Sequence, residues 1–240
     1  MLGLIAVLAT ARAALSIGPK TAGDRRSSAV ALVRDYVDAF IIAALIAMLL
    51  ITFVVRTYYI PSISMIPTLG IGDILLVSEL EYDLHPPRPG DLAVFMPPIG
   101  SGGNEFIKRV IGIPGDAIRI SDGTVYRNGS ALREPYENEE PKYDLQIEHY
   151  GIVVDGVALD PLDADIPPRS RWQAPDRIPN GYYFMLGDNR NYSDDSHAWG
   201  FAQLHGRFAS GPLARTGAKA SFAGRAFLVF WPPHRWRILH

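Results

Sequence analysis

The stretch AFIIAALIAMLLITFVV, residues 39–55, decides how this chain is organised. All of its residues are apolar except Thr52, and it contains no glycine, proline or charge. A buried core helix is the alternative, but such helices carry polar residues every three or four positions. At about 1.5 Å per residue the run covers roughly 25 Å of a bilayer core about 30 Å thick. With flanking tyrosines to anchor its ends, it predicts a transmembrane helix over residues 36–58.

The charges beside this run predict its orientation. Only Arg56 follows the run closely, whereas four basic residues lie between Pro19 and Tyr36: Lys20, Arg25, Arg26 and Arg34. Because positive charge favours the cytoplasmic side, we predict that residues 1–35 are a cytoplasmic segment and that residues 59–240 are extracytoplasmic. A shorter apolar run, Leu2 to Ala11, is compatible with an interfacial helix, an additional N-terminal piece or part of a signal-like segment.

The composition excludes several classes of protein. The chain has 240 residues and no cysteine, so a disulfide-stapled scaffold and a thiolate-based zinc or redox site are excluded. The formal net charge of -2 argues against a nucleic-acid partner. The 22 glycines and 19 prolines are too few for a low-complexity chain but suit many turns between short strands. Nothing in the composition calls for a cofactor, and we expect none.

Residues beyond 60 predict a mostly β fold. Short apolar or alternating runs are separated by turn signals such as Pro89-Gly90 and Asn128-Gly129. The predicted strands are Asp73–Val77, Asp91–Phe95, Glu105–Ile113, Ala117–Ile120, Thr124–Arg127, Tyr182–Leu186 and Arg225–Trp231. We therefore expect an N-terminal transmembrane helix followed by an antiparallel β-sheet domain.

Charge is unevenly distributed within this outer domain. Residues 134–165 hold ten acidic residues and a single basic one, Lys142, whereas residues 196–240 hold six basic and no acidic residues. The acidic stretch is most simply a solvated excursion from the core with its own small sheet. We predict a smaller inserted β region at about residues 130–175.

Two segments carry candidate residues for nucleophilic chemistry. PSISMIPTL, residues 61–69, is a stiff loop in which prolines bracket two serines, and a serine needs a base to become a nucleophile. In EFIKRVIG, residues 105–112, period-two alternation places Phe106, Lys108 and Val110 on one face of a strand. If that face is buried, Lys108 can lose its proton near neutral pH and serve as the base. The alternative is a lysine that snorkels from an edge strand.

A third segment, GDNRNYSDDS, residues 187–196, is dense in short hydrogen-bonding side chains. Such a composition is typical of a loop that satisfies its own backbone. A metal site formed by its carboxylates is the alternative, with Asp188, Asp194, Asp195 and His197 as ligands. The spacing of these residues matches no metal-binding loop that we can justify, so no metal is predicted.

Together and in this order, the three motifs resemble bacterial type I signal peptidases, the Ser/Lys endopeptidases of the signal peptidase I family. The resemblance covers about residues 36 to 231 and implies that Ser64 is the nucleophile and Lys108 its general base. It further implies that Ser62 and the Ser64 backbone N–H stabilise the oxyanion and that Ser193 orients the Lys108 amine. Asp195 would belong to the outer network. Met65 would form part of the surface that receives substrate and lipid.

The resemblance also implies a function. The chain would be a membrane-anchored serine endopeptidase of the inner (plasma) membrane, single-pass, that cleaves secretory preproteins after small residues through an acyl-enzyme. Its partners would be those preproteins and membrane lipid. One alternative is a specialised Ser/Lys peptidase that matures a pilus or conjugation subunit. The other is a non-enzymatic, membrane-tethered β module.

The chain departs from the family pattern at a few positions. Ile63 stands where many members have glycine, Asn191 and Tyr192 stand where Asp-Asn is common, and His197 occupies a place often held by arginine. An imidazole titrates near pH 6.5, so a pair between Asp195 and His197 would depend on pH. We therefore expect some stability or activity to be lost above that pH.

Overall fold

The computed structural model describes residues 32–45, 55–98, 104–160, 165–204 and 222–239. Residues 32–45 are helical, and this helix includes the start of the predicted transmembrane helix. Most of the predicted cytoplasmic segment and residues 46–54 lie outside the described residues. None of the helices that the structure describes is long and apolar enough to cross a bilayer.

The predicted end of the transmembrane helix is wrong. Val55–Tyr59 forms a β-strand, so the last residues of the predicted helix, 55–58, are extended. Valine and tyrosine favour strands, and this strand finds a partner in the strand that follows it. An ion pair of 2.8 Å between Arg56 and Glu79 ties the two strands together at their ends.

Fourteen strands account for most of the regular secondary structure described from residue 55 onward. They are β1 Val55–Tyr59, β2 Ile74–Ser78, β3 Leu92–Phe95, β4 Phe106–Gly112, β5 Ile118–Ser121, β6 Thr124–Arg127, β7 Ser130–Ala131, β8 Leu145–Glu148, β9 Gly151–Val154, β10 Val157–Ala158, β11 Tyr182–Leu186, β12 Ala202–Gln203, β13 Phe222–Trp231 and β14 Arg237–Ile238. Single helical turns lie at Glu81–Leu84 and Ser196–Trp199, and 3-10 turns at Arg169–Arg171, Arg190–Tyr192 and Pro233–Arg235. The prediction of a mostly β fold is confirmed.

The strands form two sheets. The larger has the order β1-β2-β13-β3-β4-β11-β12, with β14 paired to β13, and its strands run antiparallel from β2 to β12. The smaller has the order β10-β9-β8-β5-β6-β7 and is antiparallel throughout. It begins at Ile118, ahead of the predicted start of the inserted region near residue 130. The reason is that β5 pairs with both β6 and β8, so this strand belongs to the smaller sheet.

Strand β4 lies in the middle of the larger sheet and is covered on both faces. Phe106 and Val110 pack with the apolar cluster that includes Phe95 and Trp199. On the other face, Ile107 packs against the cluster that contains Leu75. The predicted alternation of β4 is therefore present, and both faces are apolar because the strand is central. Lys108 shares the face of Phe106 and Val110 and is buried there.

Candidate active site

The loop 61–69 presents Ser64 close to a second serine. Backbone hydrogen bonds from Leu69 N–H to Met65 O, at 2.7 Å, and from Ile66 N–H to Ile63 O, at 3.1 Å, fold this loop into successive turns. Ser64 is 8% exposed, whereas the side chain of Ser62 is exposed to solvent. Their hydroxyl oxygens lie 3.2 Å apart.

Lys108 is held in an apolar environment by the centre of the larger sheet. The residue is 3% exposed, and its Nζ lies 5.6 Å from the centre of the Phe106 ring. Burial lowers the pKa of the Lys108 amine below its ordinary 10.5, and the carboxylates of Asp195 and Asp194 limit that lowering. The neutral form of the Lys108 amine is therefore more favoured here than it is for a lysine in water.

Gly187 is the point at which the three predicted segments meet. The register of β4 with β11 pairs Arg109 with Leu186, so the next step along both chains brings Gly187 opposite Lys108. A Cβ atom built on Gly187 would come 2.5 Å from the Ser64 carbonyl oxygen and 2.5 Å from Ser193 Cβ. Only a residue without a side chain allows Ser64 and Ser193 to approach the backbone this closely beside Lys108.

Ser193 and Asp195 both contact the turn that contains Gly187. Ser193 is 7% exposed, and its buried hydroxyl has no hydrogen-bond partner among the described residues. Asp195 is fully buried, and its Oδ2 accepts a hydrogen bond of 2.9 Å from the Gly187 N–H. The carboxylate of Asp195 therefore orients the turn that faces Lys108.

His197 contacts Asp195 as the sequence departure suggested. Its Nδ1 lies 2.7 Å from Asp195 Oδ1, and the ring stacks on Tyr143 with 4.6 Å between ring centres. Burial by itself lowers the pKa of His197, but the hydrogen bond to Asp195 and its charge outweigh burial and raise that pKa above 6.5. The imidazole thus occupies the position of a cation beside Asp195.

The prediction that Met65 lies on an exposed surface is wrong. Met65 is 0% exposed and belongs to the apolar cluster that contains Leu69 and Val229. Ser64 and Met65 are consecutive buried residues at the centre of the loop, and the Met65 side chain packs in the core. The exposed apolar side chains near the loop are instead Ile63 and Ile71, at 42% and 59%.

Asn189 is a site residue to which the sequence analysis gave no role. Its side-chain amide donates a hydrogen bond of 3.1 Å to the Ile63 carbonyl, and its backbone N–H donates one of 3.1 Å to the Ser64 carbonyl. Asn189 is buried and holds the backbone on both sides of the Ser64 nitrogen. An asparagine three residues after the end of a buried strand was the available signal, but its partner lies 126 residues away in sequence.

The carboxylates of this loop bind protein donors. Asp188 receives hydrogen bonds from Arg109 Nε at 2.8 Å and Nη2 at 2.7 Å, a buried bidentate pair. The Asp195 carboxylate accepts a hydrogen bond from the Gly187 N–H and contacts the His197 imidazole, as described above. The described residues contain no group of three or more acidic or histidine side chains arranged to hold a metal ion.

The prediction that the acidic stretch is a solvated excursion is wrong for its first residues. The side chain of Glu134 is 3% exposed and forms a 2.8 Å ion pair with the fully buried Arg190. The ring of Tyr136 lies 3.7 Å from the guanidinium carbon of Arg109. Segment 134–142 is therefore packed against the loop that carries Gly187.

Known proteins are similar to this chain over most of its length. The family model described as signal peptidase, peptidase S26, matches residues 33–231. A protein of Synechocystis sp. named "Probable signal peptidase I-1" is 36% identical over 79% of this chain and 88% of its own. Signal peptidase I of Leptolyngbya laminosa is 34% identical over 77% of this chain and 72% of its own.

Two further comparisons are with Pseudomonas aeruginosa and Enterococcus faecalis proteins. Signal peptidase I of Pseudomonas aeruginosa is 32% identical over 84% of this chain and 74% of its own. A crystal structure of a signal peptidase I from Enterococcus faecalis V583 is 30% identical and covers 49% of this chain and 89% of that one, with a TM-score of 0.33. On the strength of the sequence matches, this chain belongs to the signal peptidase family, peptidase S26.

Proposed function

We propose that this chain is a membrane-anchored serine endopeptidase that removes signal peptides, with Ser64 as nucleophile and Lys108 as general base. Membership of the family makes the chain a hydrolase of the signal peptidase I type. The observation that supports the residue assignment is the close approach of Ser64 and Ser193 to Gly187, which directly follows the strand paired with the strand of Lys108. The comparisons favour neither a specialised pilus peptidase nor a non-enzymatic module.

Lys108 has the environment that a lysine base requires. A lysine can accept a proton only in its neutral form, and burial lowers the pKa of Lys108. The hydroxyl of Ser193 is buried without a partner among the described residues and lies across Gly187 from Ser64. In the proposal it accepts a hydrogen bond from the Lys108 amine and aims the nitrogen lone pair at the Ser64 hydroxyl.

The proposed reaction has two halves. Ser64 Oγ attacks the scissile carbonyl carbon while Lys108 takes its proton, and the resulting tetrahedral oxyanion receives hydrogen bonds from Ser62 Oγ–H and the Ser64 N–H. The 3.2 Å between the two hydroxyl oxygens supports this role for Ser62. Lys108 then gives the proton to the leaving amine, which leaves an acyl-enzyme. A water deprotonated by Lys108 attacks the acyl group, releases the carboxylate end and restores Ser64.

Membrane attachment is part of the same proposal. The apolar run 39–55 would cross the inner membrane once, with residues 1–35 in the cytoplasm and the catalytic domain outside. Ser64 follows the run by nine residues, so a substrate inserted in the same bilayer would have a high effective concentration. Exposed aromatic and aliphatic side chains support lipid as a partner: Tyr59, Ile63, Ile71, Phe230, Trp231, Trp236 and Ile238. Secretory preproteins with small residues before the cut are the proposed substrates.

The test is cleavage of a purified preprotein carrying an Ala-x-Ala site by the full chain in detergent. Wild type should cleave, and Ser64→Ala and Lys108→Ala should not, because each removes one member of the dyad. Ser78→Ala provides a matched serine control at the end of β2. Full activity in either dyad variant would refute the residue assignment, and an inactive wild type would refute the function.

A further inference from the structure

Segment 134–142 forms buried contacts that have no role in the reaction as proposed above. Glu134 is its most buried carboxylate, and both oxygens are bonded: Oε2 accepts from Arg190 Nη1 at 2.8 Å and Oε1 accepts from Tyr136 Oη at 2.9 Å. The side chains of Glu134 and Arg190 are 3% and 0% exposed. A surface salt bridge contributes little, but a buried pair with both oxygens satisfied fixes the geometry of its partners.

The partner of Glu134 leads directly to the site. Arg190 Nε donates a hydrogen bond of 3.0 Å to the Gly187 carbonyl, while its Nη1 remains on Glu134. Gly187 lies close to Ser64 and Ser193, and it follows Leu186, which pairs with Arg109, the neighbour of Lys108. One guanidinium therefore connects the acidic segment to the turn on which the proposed dyad converges.

A second path runs in parallel through the other arginine. The Tyr136 ring packs 3.7 Å from the Arg109 guanidinium carbon, and Arg109 holds both oxygens of Asp188, the residue after Gly187. The Asp188 carbonyl also accepts a 3.0 Å hydrogen bond from the backbone N–H of Asn138. Both ends of the Gly187–Asp188 peptide are thus held by residues of segment 134–142 or by their partners.

We infer that Glu134 is a positioning residue for the peptidase reaction, acting through Arg190 on the Gly187 turn that sets Ser64 against Lys108. This inference rests on the proposed function. Glu134 touches neither substrate nor the reacting atoms. Its role is to hold the Gly187 turn in one position, so that the Ser64 hydroxyl and the Lys108 amine meet in a reactive geometry.

The inference predicts a specific kinetic signature for Glu134→Gln. Glutamine keeps the size of the side chain but loses the charge that holds Arg190, so the turn loosens. We expect kcat to fall by about tenfold to a hundredfold, as misplacement of reacting groups by a fraction of an ångström to 1 Å does. KM should stay unchanged because no substrate contact is lost.

The pH profile gives a readout that a purely structural role would not move. The charges of Asp195, Asp194 and Asp188 raise the pKa of Lys108 against the lowering by burial, and Lys108 in turn acts on His197. A loosened turn admits water beside the amine, which weakens the lowering of the Lys108 pKa by burial. The acidic limb of kcat/KM should then move to higher pH in Glu134→Gln.

The experiment compares full-length wild type, Glu134→Gln and Glu148→Gln in detergent on the Ala-x-Ala preprotein, normalised to folded enzyme. Glu148 lies at the end of β8 and contacts His149 at 3.8 Å, so its variant removes the same charge away from the turn and should match wild type. Tyr136→Phe, which removes the hydroxyl that donates to Glu134, should show a smaller loss of kcat and decides the matter if Glu134→Gln does not fold.

The outcomes separate this inference from the function on which it rests. A wild type that cleaves, together with variants whose kcat per folded enzyme and acidic limb equal those of wild type, overturns the positioning role alone. A wild type that does not cleave overturns the proposed function and the positioning role together. A lower melting temperature with unchanged kcat and pH profile assigns Glu134 to stability and also overturns the inference.

Discussion

Gly187→Ala is the change that most directly tests the geometry of the site. The added Cβ would come 2.5 Å from the Ser64 carbonyl oxygen, whereas ordinary van der Waals contact begins at 3.4 Å. Relief of the contact with Ser64 requires the loop carrying Ser64, or the turn carrying Gly187, to move by about 0.9 Å, and the Ser193 side chain, whose hydroxyl is closer still to the added Cβ, must move as well. The Ser64 loop and the Gly187 turn are hydrogen-bonded to each other through Asn189, so neither can give way alone.

The size of this shift predicts the size of the effect. A displacement of about 1 Å between reacting groups can cost about a hundredfold in rate, which corresponds to about 2.7 kcal/mol in the activation barrier. Overpacking should also lower the free energy of unfolding by about 1–3 kcal/mol. We therefore expect a large loss of kcat on preprotein cleavage in an enzyme that is still folded.

The assay is single-turnover cleavage by the full chain in detergent, with melting temperature measured on the same samples. Gly151→Ala is the matched control, because the nearest atom to its added Cβ would be the Glu148 carbonyl oxygen at 3.9 Å. If folded Gly187→Ala cleaved as fast as Gly151→Ala, the argument that Gly187 lets Ser64 and Lys108 meet would be refuted.

Three further predictions concern the charges around the site. Pairing with Asp195 raises the pKa of His197 above 6.5, so the stability from that pair is fully present below pH 6.5 and is lost as pH rises through the raised pKa. The melting temperature, measured from pH 5.5 to 9, should therefore fall in wild type and change less in His197→Arg. Asp188→Asn leaves Arg109 buried without its counter-charge and should lower the free energy of unfolding by about 3–5 kcal/mol in urea titrations, and an unchanged midpoint would contradict this. Since burial lowers the pKa of Lys108, single-turnover cleavage should rise with pH and reach half its maximum below pH 10.5; a half-maximum at or above 10.5 would show that the amine is not depressed.

Periodicity located the strands better than it located the ends of helices. The bounds predicted for Thr124–Arg127 and Tyr182–Leu186 are those observed, because turn residues and alternating apolar residues delimit a strand locally. Residues 55–58 belong to a strand and not to the predicted helix, because valine, threonine and tyrosine favour strands although a short segment beside an apolar run suits either a helix or a strand. Only pairing with β2 decides between them.

The candidate residues were accessible to sequence reasoning to different degrees. Ser64 and Lys108 stand in motifs whose order is distinctive, and alternation alone suggested that Lys108 faces apolar neighbours. The misplacement of Met65 has a simple cause, because a loop with no regular period gives no indication of which side chains turn inward. Met65 is buried because it packs in a cluster with Leu69, at the end of the same loop, and with Val229 of β13, a partner that the sequence of the loop does not indicate.

What the sequence by itself determined is the set of local properties: the mostly β fold, a nucleophile loop stiffened by proline, and a lysine in an apolar strand. The tertiary structure decided everything that depends on distant partners. Asn189 reaches Ile63 across 126 residues, Arg109 reaches Asp188 across 79, and Arg190 reaches Glu134 across 56. Hydrogen-bonding capacity can be read from residue type, but the partner depends on which strands pair. Strand pairing is determined by the burial of the whole sheet.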